Sequence, residues 1–139
     1  MILRVILLVL FLTQGILSLR AVYGQSVKAF PTAEGFGANA VGGRGGAVIQ
    51  VTNLNAWGSG SLRNCVEATG PRTCIFTVGG TIILDAFTPI IVGTANSFLT
   101  IAGQTAPGGI QLRGNGLTLG AGVHDVIVRH LRIRPGYSG

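Results

Sequence analysis

Beyond residue 71, apolar residues come in short runs that alternate with polar residues or end at glycine. The runs are TCIFTV, TIIL, FLTIAG, IQLRG, LTLG and VIVRHLRIR. Alternation of β-branched and polar residues is typical of strands, and glycine between such runs is typical of tight turns. The pattern therefore predicts an all-β fold of short strands from Arg72 to the end of the chain.

The apolar runs recur at nearly equal intervals. Their centres near Ile75, Ile101 and Val126 are separated by 26 and 25 residues. A recurrence of this length favours a β-solenoid, in which each coil buries its apolar side chains against the coil before it. An antiparallel sandwich is the alternative, because it also consists of short strands and turns. The near-equal spacing, together with a single amphipathic helix near the start, favours the solenoid.

The segment before these runs predicts one strand and one helix. Ala47–Leu54 alternates and predicts a strand. Ser61 is a suitable N-cap for a helix over Leu62–Thr69, which Gly70 and Pro71 would end. Four residues would fall on one face of this helix: Leu62, Cys65, Val66 and Thr69. A helix here would cover the open edge of a solenoid.

Residues 25–46 predict irregular structure. Pro31 excludes a helix interior from the entry segment Gln25–Glu34. Gly35–Gly46 contains six glycines in twelve residues, which indicates positive φ angles. A phosphate-binding loop would need Gly-Lys-Ser/Thr, which is absent from this stretch.

The first 24 residues predict a secretory signal peptide. Met1–Arg4 supplies a positive start, Val5–Leu12 is uninterrupted and apolar, and a cleavage site precedes Gln25. The alternative is a membrane anchor, but the run is shorter than the ~20 residues that span a bilayer. We therefore expect a secreted, extracellular protein in which residues 25–139 form the folded part, with no membrane association after cleavage.

The net charge narrows the range of expected binding partners, and the two cysteines predict a cross-link. Without Arg4 and Arg20, eight basic residues face four acidic ones, and the formal charge falls from +6 to +4. An excess of this size suits an anionic polymer, and export argues against nucleic acid. Cys65 and Cys74 predict a disulfide in an exported chain, because two cysteines are too few for a zinc site.

Several blocks, taken in order, resemble one family. GFGANAVGGRGG, VTNLN, GSGSLRNCVEATGPRTCIF, VGGTI, LTIAGQTAPGG and VIVRHLRIRPG are similar to the amino-terminal part of secreted pectate lyases of polysaccharide lyase family one. The resemblance implies a right-handed parallel β-helix, here truncated after about three coils. It also implies a capping helix around Leu62–Ala68, a Cys65–Cys74 disulfide between the cap and the first coil, and a monomeric full-length protein.

The activity implied by the resemblance is β-elimination in polygalacturonate, the expected polysaccharide partner. A proton leaves carbon 5 and the glycosidic oxygen leaves carbon 4. Calcium stabilises the negative charge that develops, and an arginine acts as the base. The family's calcium aspartates and catalytic arginine come from later coils. We therefore expect the catalytic and metal-binding residues beyond Gly139, and the 139-residue chain alone to be inactive.

Two arginines are candidates for substrate binding. If Leu131 and Ile133 point into the core, Arg132 and Arg134 lie on the outer face, where they suit a polymer of carboxylates. The alternative is a solvated ladder that pairs with carboxylates of a next coil. The acidic residues are interpreted as turn or surface residues: Glu34, Glu67, Asp85 and Asp125. Two further functions stay open: a non-catalytic β-helix for polysaccharide binding or surface attachment, and a lyase or hydrolase of the same fold acting on another polyuronide.

Overall fold

A computed structural model describes residues 27–85 and 87–136, and the predicted signal peptide over residues 1–24 lies outside them. The described chain contains nine strands and one α-helix. The helix, α1, is Leu62–Val66, and three-residue or four-residue 3-10 helices occur at Phe36–Asn39, Thr94–Asn96 and Gly103–Thr105. The strands are β1 Ala47–Val51, β2 Arg72–Phe76, β3 Gly80–Ile83, β4 Ile90–Val92, β5 Leu99–Ala102, β6 Ile110–Gly114, β7 Leu117–Leu119, β8 Val126–Arg129 and β9 Leu131–Pro135.

The strands form three parallel sheets. Their orders are β1-β2-β5-β8, β3-β6-β9 and β4-β7. Every strand pairing is parallel, which excludes the antiparallel sandwich. Two complete coils, β2–β4 and β5–β7, lie between β1 and the pair β8–β9, and this confirms the predicted parallel β-helix of about three coils. No helix within the described residues is long and apolar enough to cross a membrane.

The repeat is regular, but its register differs from the predicted centres. Cys74 pairs with Ile101, which pairs with Val128, so each step is 27 residues. Ile75 is only partly buried and lies between the inward-facing Cys74 and Phe76. The prediction matched apolar residues without regard to which face they occupy. Cys74 takes the place of Ile75, and Val128 takes the place of Val126, which pairs with Leu99 instead. Burial, and not hydropathy alone, defines the repeat.

The core is a column of inward-facing side chains stacked coil on coil. Ile82, Leu84, Ile90, Val92, Leu99, Ile101, Ile110 and Leu112 are all buried in it, together with residues of the helix. Parallel stacking places like positions of successive coils in contact, which explains why short apolar runs suffice to form one core.

The cap helix begins where the sequence predicts and ends three residues earlier. The hydroxyl of Ser61 accepts a hydrogen bond from the Asn64 N–H, so Ser61 is the N-cap. The predicted end at Thr69 is wrong, and Thr69 is exposed. The carbonyls of Cys65 and Val66, in the last turn, accept hydrogen bonds from a buried arginine side chain instead of continuing the helix.

That arginine is Arg72, the first residue of β2. Its side chain is fully buried and donates to five backbone carbonyls: Cys65, Val66, Gly70, Asn96 and Ser97. Burial lowers the pKa of its guanidinium, because desolvation disfavours the charged form. Arg72 therefore joins the end of α1 to the turn before β5, while the Cys65–Cys74 disulfide joins α1 to β2 as expected.

The predicted strand Ala47–Leu54 also ends early, at Val51. The N–H groups of Thr52 and Asn53 both donate to the Gly60 carbonyl, which turns the chain toward the cap helix. The strand Ile90–Val92 had no counterpart among the predicted runs. It is three residues long and follows Pro89, so it carries little local pattern.

The glycine-rich segment lies across the outer side of the four-stranded sheet. The Gly43 N–H donates to the Thr100 hydroxyl at 2.9 Å, and the Val41 N–H donates to the Asp125 carboxylate at 2.7 Å. A Cβ on Gly43 would lie 1.9 Å from the Arg72 carbonyl oxygen, a contact that no side chain tolerates. The segment is thus a packed layer over the sheet, and a residue larger than glycine at position 43 would push it away.

Candidate functional site

The outer face of sheet β3-β6-β9 carries three exposed arginines. Leu131 and Ile133 are in register with the buried Ile110 and Leu112. Alternation then places their neighbours outward, and the structure puts Arg113, Arg132 and Arg134 there, all exposed. We call this surface the arginine face. The two arginines predicted from the sequence are both part of it.

The arginines are close neighbours. Arg113 pairs in register with Arg134 on the adjacent strand, a separation of about 4.8 Å between backbones. Arg132 lies two positions before Arg134 on the same face, about 7 Å away. Like charges at these positions repel one another and disfavour the pairing. A bound polyanion would relieve that repulsion.

No carboxylate pairs with the arginine face. The ion pairs among the described residues are Arg63–Glu67 and His124–Asp125, and both lie elsewhere. The alternative hypothesis, a ladder paired with carboxylates of a next coil, concerns residues beyond those described and stays a prediction. The three guanidinium groups keep their donors available for carboxylates from outside the chain.

A depression adjoins the arginine face. Its volume is about 490 Å³, and its lining includes Gln104, Gly109, His130 and Arg132. A Cβ added to Gly109 would lie 3.7 Å from Nη1 of Arg132, so the guanidinium extends over this glycine. The depression thus opens beside Arg132, at one end of the arginine face.

Arg113 was missed by the sequence prediction. The segment IQLRG alternates in the same way as LRIRP, so with Ile110 and Leu112 inward, Gln111 and Arg113 must point outward. What sequence alone did not show is the pairing of β6 with β9, which brings Arg113 beside Arg134.

The four carboxylates of residues 27–136 are dispersed and serve local contacts. Glu34 is exposed, and Glu67 pairs with Arg63. Hydrogen bonds from the Thr88 hydroxyl and the Phe87 N–H lower the pKa of Asp85. A hydrogen bond from the Val41 N–H, followed by one from His124, lowers the pKa of Asp125.

Curated proteins similar to this chain share one name. "Probable pectate lyase C" of Aspergillus fumigatus is 48% identical over 92% of the chain, and the protein of that name from Aspergillus terreus is 52% identical over 80%. The Emericella nidulans protein of the same name is 51% identical over 80% of the chain. The chain is homologous to these fungal proteins over most of its own length. It spans 30%, 25% and 25% of these three relatives, respectively.

Structural comparison agrees with this relationship. The crystal structure of Jun a 1, the major allergen from cedar pollen, superposes with a TM-score of 0.57 and 29% sequence identity. The match covers 73% of this chain and 29% of that one. A scan against protein-family models found no match.

Calcium, which the pectate lyase resemblance implies, does not fit the carboxylates of the described part. Calcium takes six to eight oxygen ligands from converging groups. No three His, Cys, Asp or Glu side chains of residues 27–85 and 87–136 lie together in a way that could hold a metal ion. The described strands β3, β6 and β9 contain no Asp or Glu, so the charged side chains of the arginine face are all cationic.

Proposed function

We propose that the whole protein is a secreted pectate lyase that cleaves polygalacturonate by calcium-assisted β-elimination. The observation that carries this proposal is the identity of about half the residues with proteins named pectate lyase over most of the chain. The chain spans a quarter to a third of those relatives, so the activity is proposed for the protein as a whole. The positive formal charge of the sequence supports an anionic substrate.

The described part would contribute substrate binding. In the elimination, the proton on carbon 5 is removed and the glycosidic oxygen on carbon 4 departs. Neither step has a base or a metal ligand among the described carboxylates. Arg113, Arg132 and Arg134 would instead bind uronate carboxylates and orient the polymer along the outer face of the β-helix. The catalytic arginine and the calcium ligands stay a prediction for residues beyond Gly139.

A non-catalytic polysaccharide-binding β-helix is the second candidate. It is favoured by one observation: the outer face carries three exposed arginines, which can bind uronate carboxylates without cleaving the polymer. The two candidates agree on the arginine face and differ on turnover.

Turnover is tested with the full-length gene product and polygalacturonate, with calcium added. Lyase action produces unsaturated uronides that absorb in the ultraviolet, and we expect their steady release. Their absence, with binding intact, would favour the non-catalytic candidate over the lyase.

Binding is tested by replacing single arginines in the same full-length protein. We expect Arg132→Gln and Arg134→Gln each to weaken polygalacturonate binding about two- to fivefold at low salt, the scale of one exposed ion pair. The difference should shrink at high salt, which screens exposed charges. Lys28→Gln is the matched control, because it removes one exposed cation far from the face in sequence. Equal losses for all three variants would indicate a general charge effect and refute the assigned site.

A further inference from the structure

Trp57 forms a second surface feature that the arginine face does not explain. It is the only tryptophan in the sequence and lies in the loop between β1 and α1. The side chain is large and apolar, yet 53% of the residue is exposed. The guanidinium carbon of Arg63 lies 3.7 Å from the ring centroid, so one face of the indole rests on a cation.

Arg63 is firmly held beneath the ring. The residue is 4% exposed, although it is charged. Its guanidinium donates to the carbonyls of Ala56, Thr88 and Pro89 and pairs with the Glu67 carboxylate at 3.1 Å. With every nitrogen bound, the guanidinium has little freedom to move. It packs against one face of the indole, and Trp57 as a whole is still 53% exposed.

The surroundings of the exposed ring are polar and open. A pocket of about 460 Å³ adjoins Trp57, and its lining includes Ser59, Asn64 and Glu67. The Asn64 side chain has no hydrogen-bond partner among the described residues, so its amide can both donate and accept. A Cβ on Gly58 would meet no atom within 4 Å, so the neighbouring residue adds no bulk above the platform.

We propose that Trp57 is a stacking platform for a neutral pyranose ring, the unit of an uncharged oligosaccharide. The C–H groups on one side of a pyranose pack against the electron-rich face of an aromatic ring, while the ring hydroxyls need polar partners around the edge. The exposed indole supplies the aromatic surface, and the side chains of Ser59, Asn64 and Glu67 supply polar partners for the hydroxyls.

The charges at this site favour a neutral sugar over a uronate. The positive charge of Arg63 is balanced by Glu67, and four of the five guanidinium N–H groups already donate to oxygens of Ala56, Glu67, Thr88 and Pro89. The site is also separate from the arginine face. The helix α1 packs against β1, β2 and β4, whereas Arg132 and Arg134 belong to β9, on the last described coil.

A fluorescence titration of the full-length protein tests the proposal if Trp57 is its sole tryptophan or the others are first replaced by phenylalanine. We expect a β-1,4-linked galacto-oligosaccharide to give a saturable blue shift, because the sugar displaces water from the indole. The affinity should be the same at low and high salt, since no net charge is involved. Absence of a shift at tens of millimolar sugar refutes the proposal.

Variants separate stacking from a structural role. We expect Trp57→Ala to reduce calorimetric binding of the same sugar at least tenfold, and Trp57→Phe to retain part of it. Phe36→Ala is the matched control, because it removes another exposed aromatic side chain, and should bind as the wild type. Unchanged binding by folded Trp57→Ala would refute the proposal, and should that variant not fold, the titration above decides. Ultraviolet lyase activity and the effect of Arg134→Gln do not depend on Trp57, so failure here leaves the proposed function intact.

Discussion

The capped end of the β-helix and its last described coil use the same kinds of residue in different environments. Ile101 in β5 and Val128 in β8 are paired inward positions. Ile101 is fully buried, whereas Val128 is 39% exposed. Leu112 and Ile133 show the same contrast, since Ile133 is 40% exposed. An inward position in a solenoid is thus buried by the coil beyond it and not by its own strand.

Arginine shows the contrast between the two regions more sharply. Arg72, near the cap, is buried and binds five carbonyls. Arg132 and Arg134, on the last described coil, are exposed and have no protein partner within the described part. The first is a structural cross-link that replaces helix and turn hydrogen bonds. The other two have donors to spare for a ligand.

Arg72→Met should have the largest effect on stability. Methionine keeps the volume but removes every donor, which leaves five carbonyls in the cap without their side-chain partner. We expect a loss of about 3–5 kcal/mol in the free energy of unfolding, the scale for breaking a buried charged network. Denaturant unfolding of the 139-residue chain measures it.

Two comparisons qualify the Arg72 result. Arg72→Lys retains the charge but fewer donors, so it should lose less than Arg72→Met. Arg134→Met removes an exposed arginine and should change stability by under about 0.5 kcal/mol. A similar loss for Arg72→Met and Arg134→Met would mean that the buried network contributes little.

Ile101→Ala and Val128→Ala test the same inward rung on neighbouring coils. Ile101→Ala opens a cavity in a packed core and should cost about 2–4 kcal/mol. Val128→Ala removes less side chain from a partly exposed site and should cost under about 1 kcal/mol. Urea unfolding of the 139-residue chain at low micromolar concentration compares them. Equal costs would indicate that Val128 is covered in solution, for example by a second copy of the chain.

The disulfide comes next in expected effect. Cys65→Ala with Cys74→Ala opens a short loop between α1 and β2. Loop-closure entropy for this length corresponds to about 2–3 kcal/mol. Because Arg72 links the same two elements, we expect the variant to fold with α1 still in place. Thermal unfolding followed by circular dichroism gives the loss, and no shift in the midpoint would show that Arg72 alone holds the cap.

Much of the fold follows from alternation, because alternation is a local property. The strands and the outward orientation of Arg132 and Arg134 are confirmed for that reason. The N-cap at Ser61 is also local, since its partner is three residues away. The pairing of Cys65 with Cys74 was expected from the compartment and the cysteine count, and it is present.

The missed features depend on segments far apart in sequence. Alternation places Arg72 on the same face as Cys74 and Phe76. The neighbouring sequence does not show that its guanidinium will donate hydrogen bonds to the distant carbonyls of Asn96 and Ser97. The early end of α1 follows from the same network. The site at Trp57 likewise depends on Arg63 being held by the distant carbonyls of Thr88 and Pro89.

The smallest expected effect concerns Asp125, which joins the glycine-rich segment to the last described coil. Its carboxylate accepts the Val41 N–H, and that hydrogen bond, with the one from His124, holds its pKa below the ordinary value of 3.8. A pKa lowered in the folded state stabilises the protein above the unfolded pKa, and this contribution is lost as pH falls through the folded pKa. The effect should therefore be lost as the pH falls below about 4, and it should stay under about 1 kcal/mol because the group is accessible to water.

Asp125→Asn isolates this contribution. The amide oxygen can still accept from Val41 but carries no charge, so the variant should lose less stability than the wild type as the pH falls below about 4. Hydrogen exchange at the Val41 N–H gives a local measure, and it should accelerate in acid for the wild type. Asp85→Asn is the control, because the Asp85 carboxylate accepts hydrogen bonds from Phe87 and Thr88 in its own turn. If Asp85→Asn changed exchange at Val41 as much as Asp125→Asn does, the segment would be responding to charge in general, and the contact between Val41 and Asp125 would not be what holds it on the last coil.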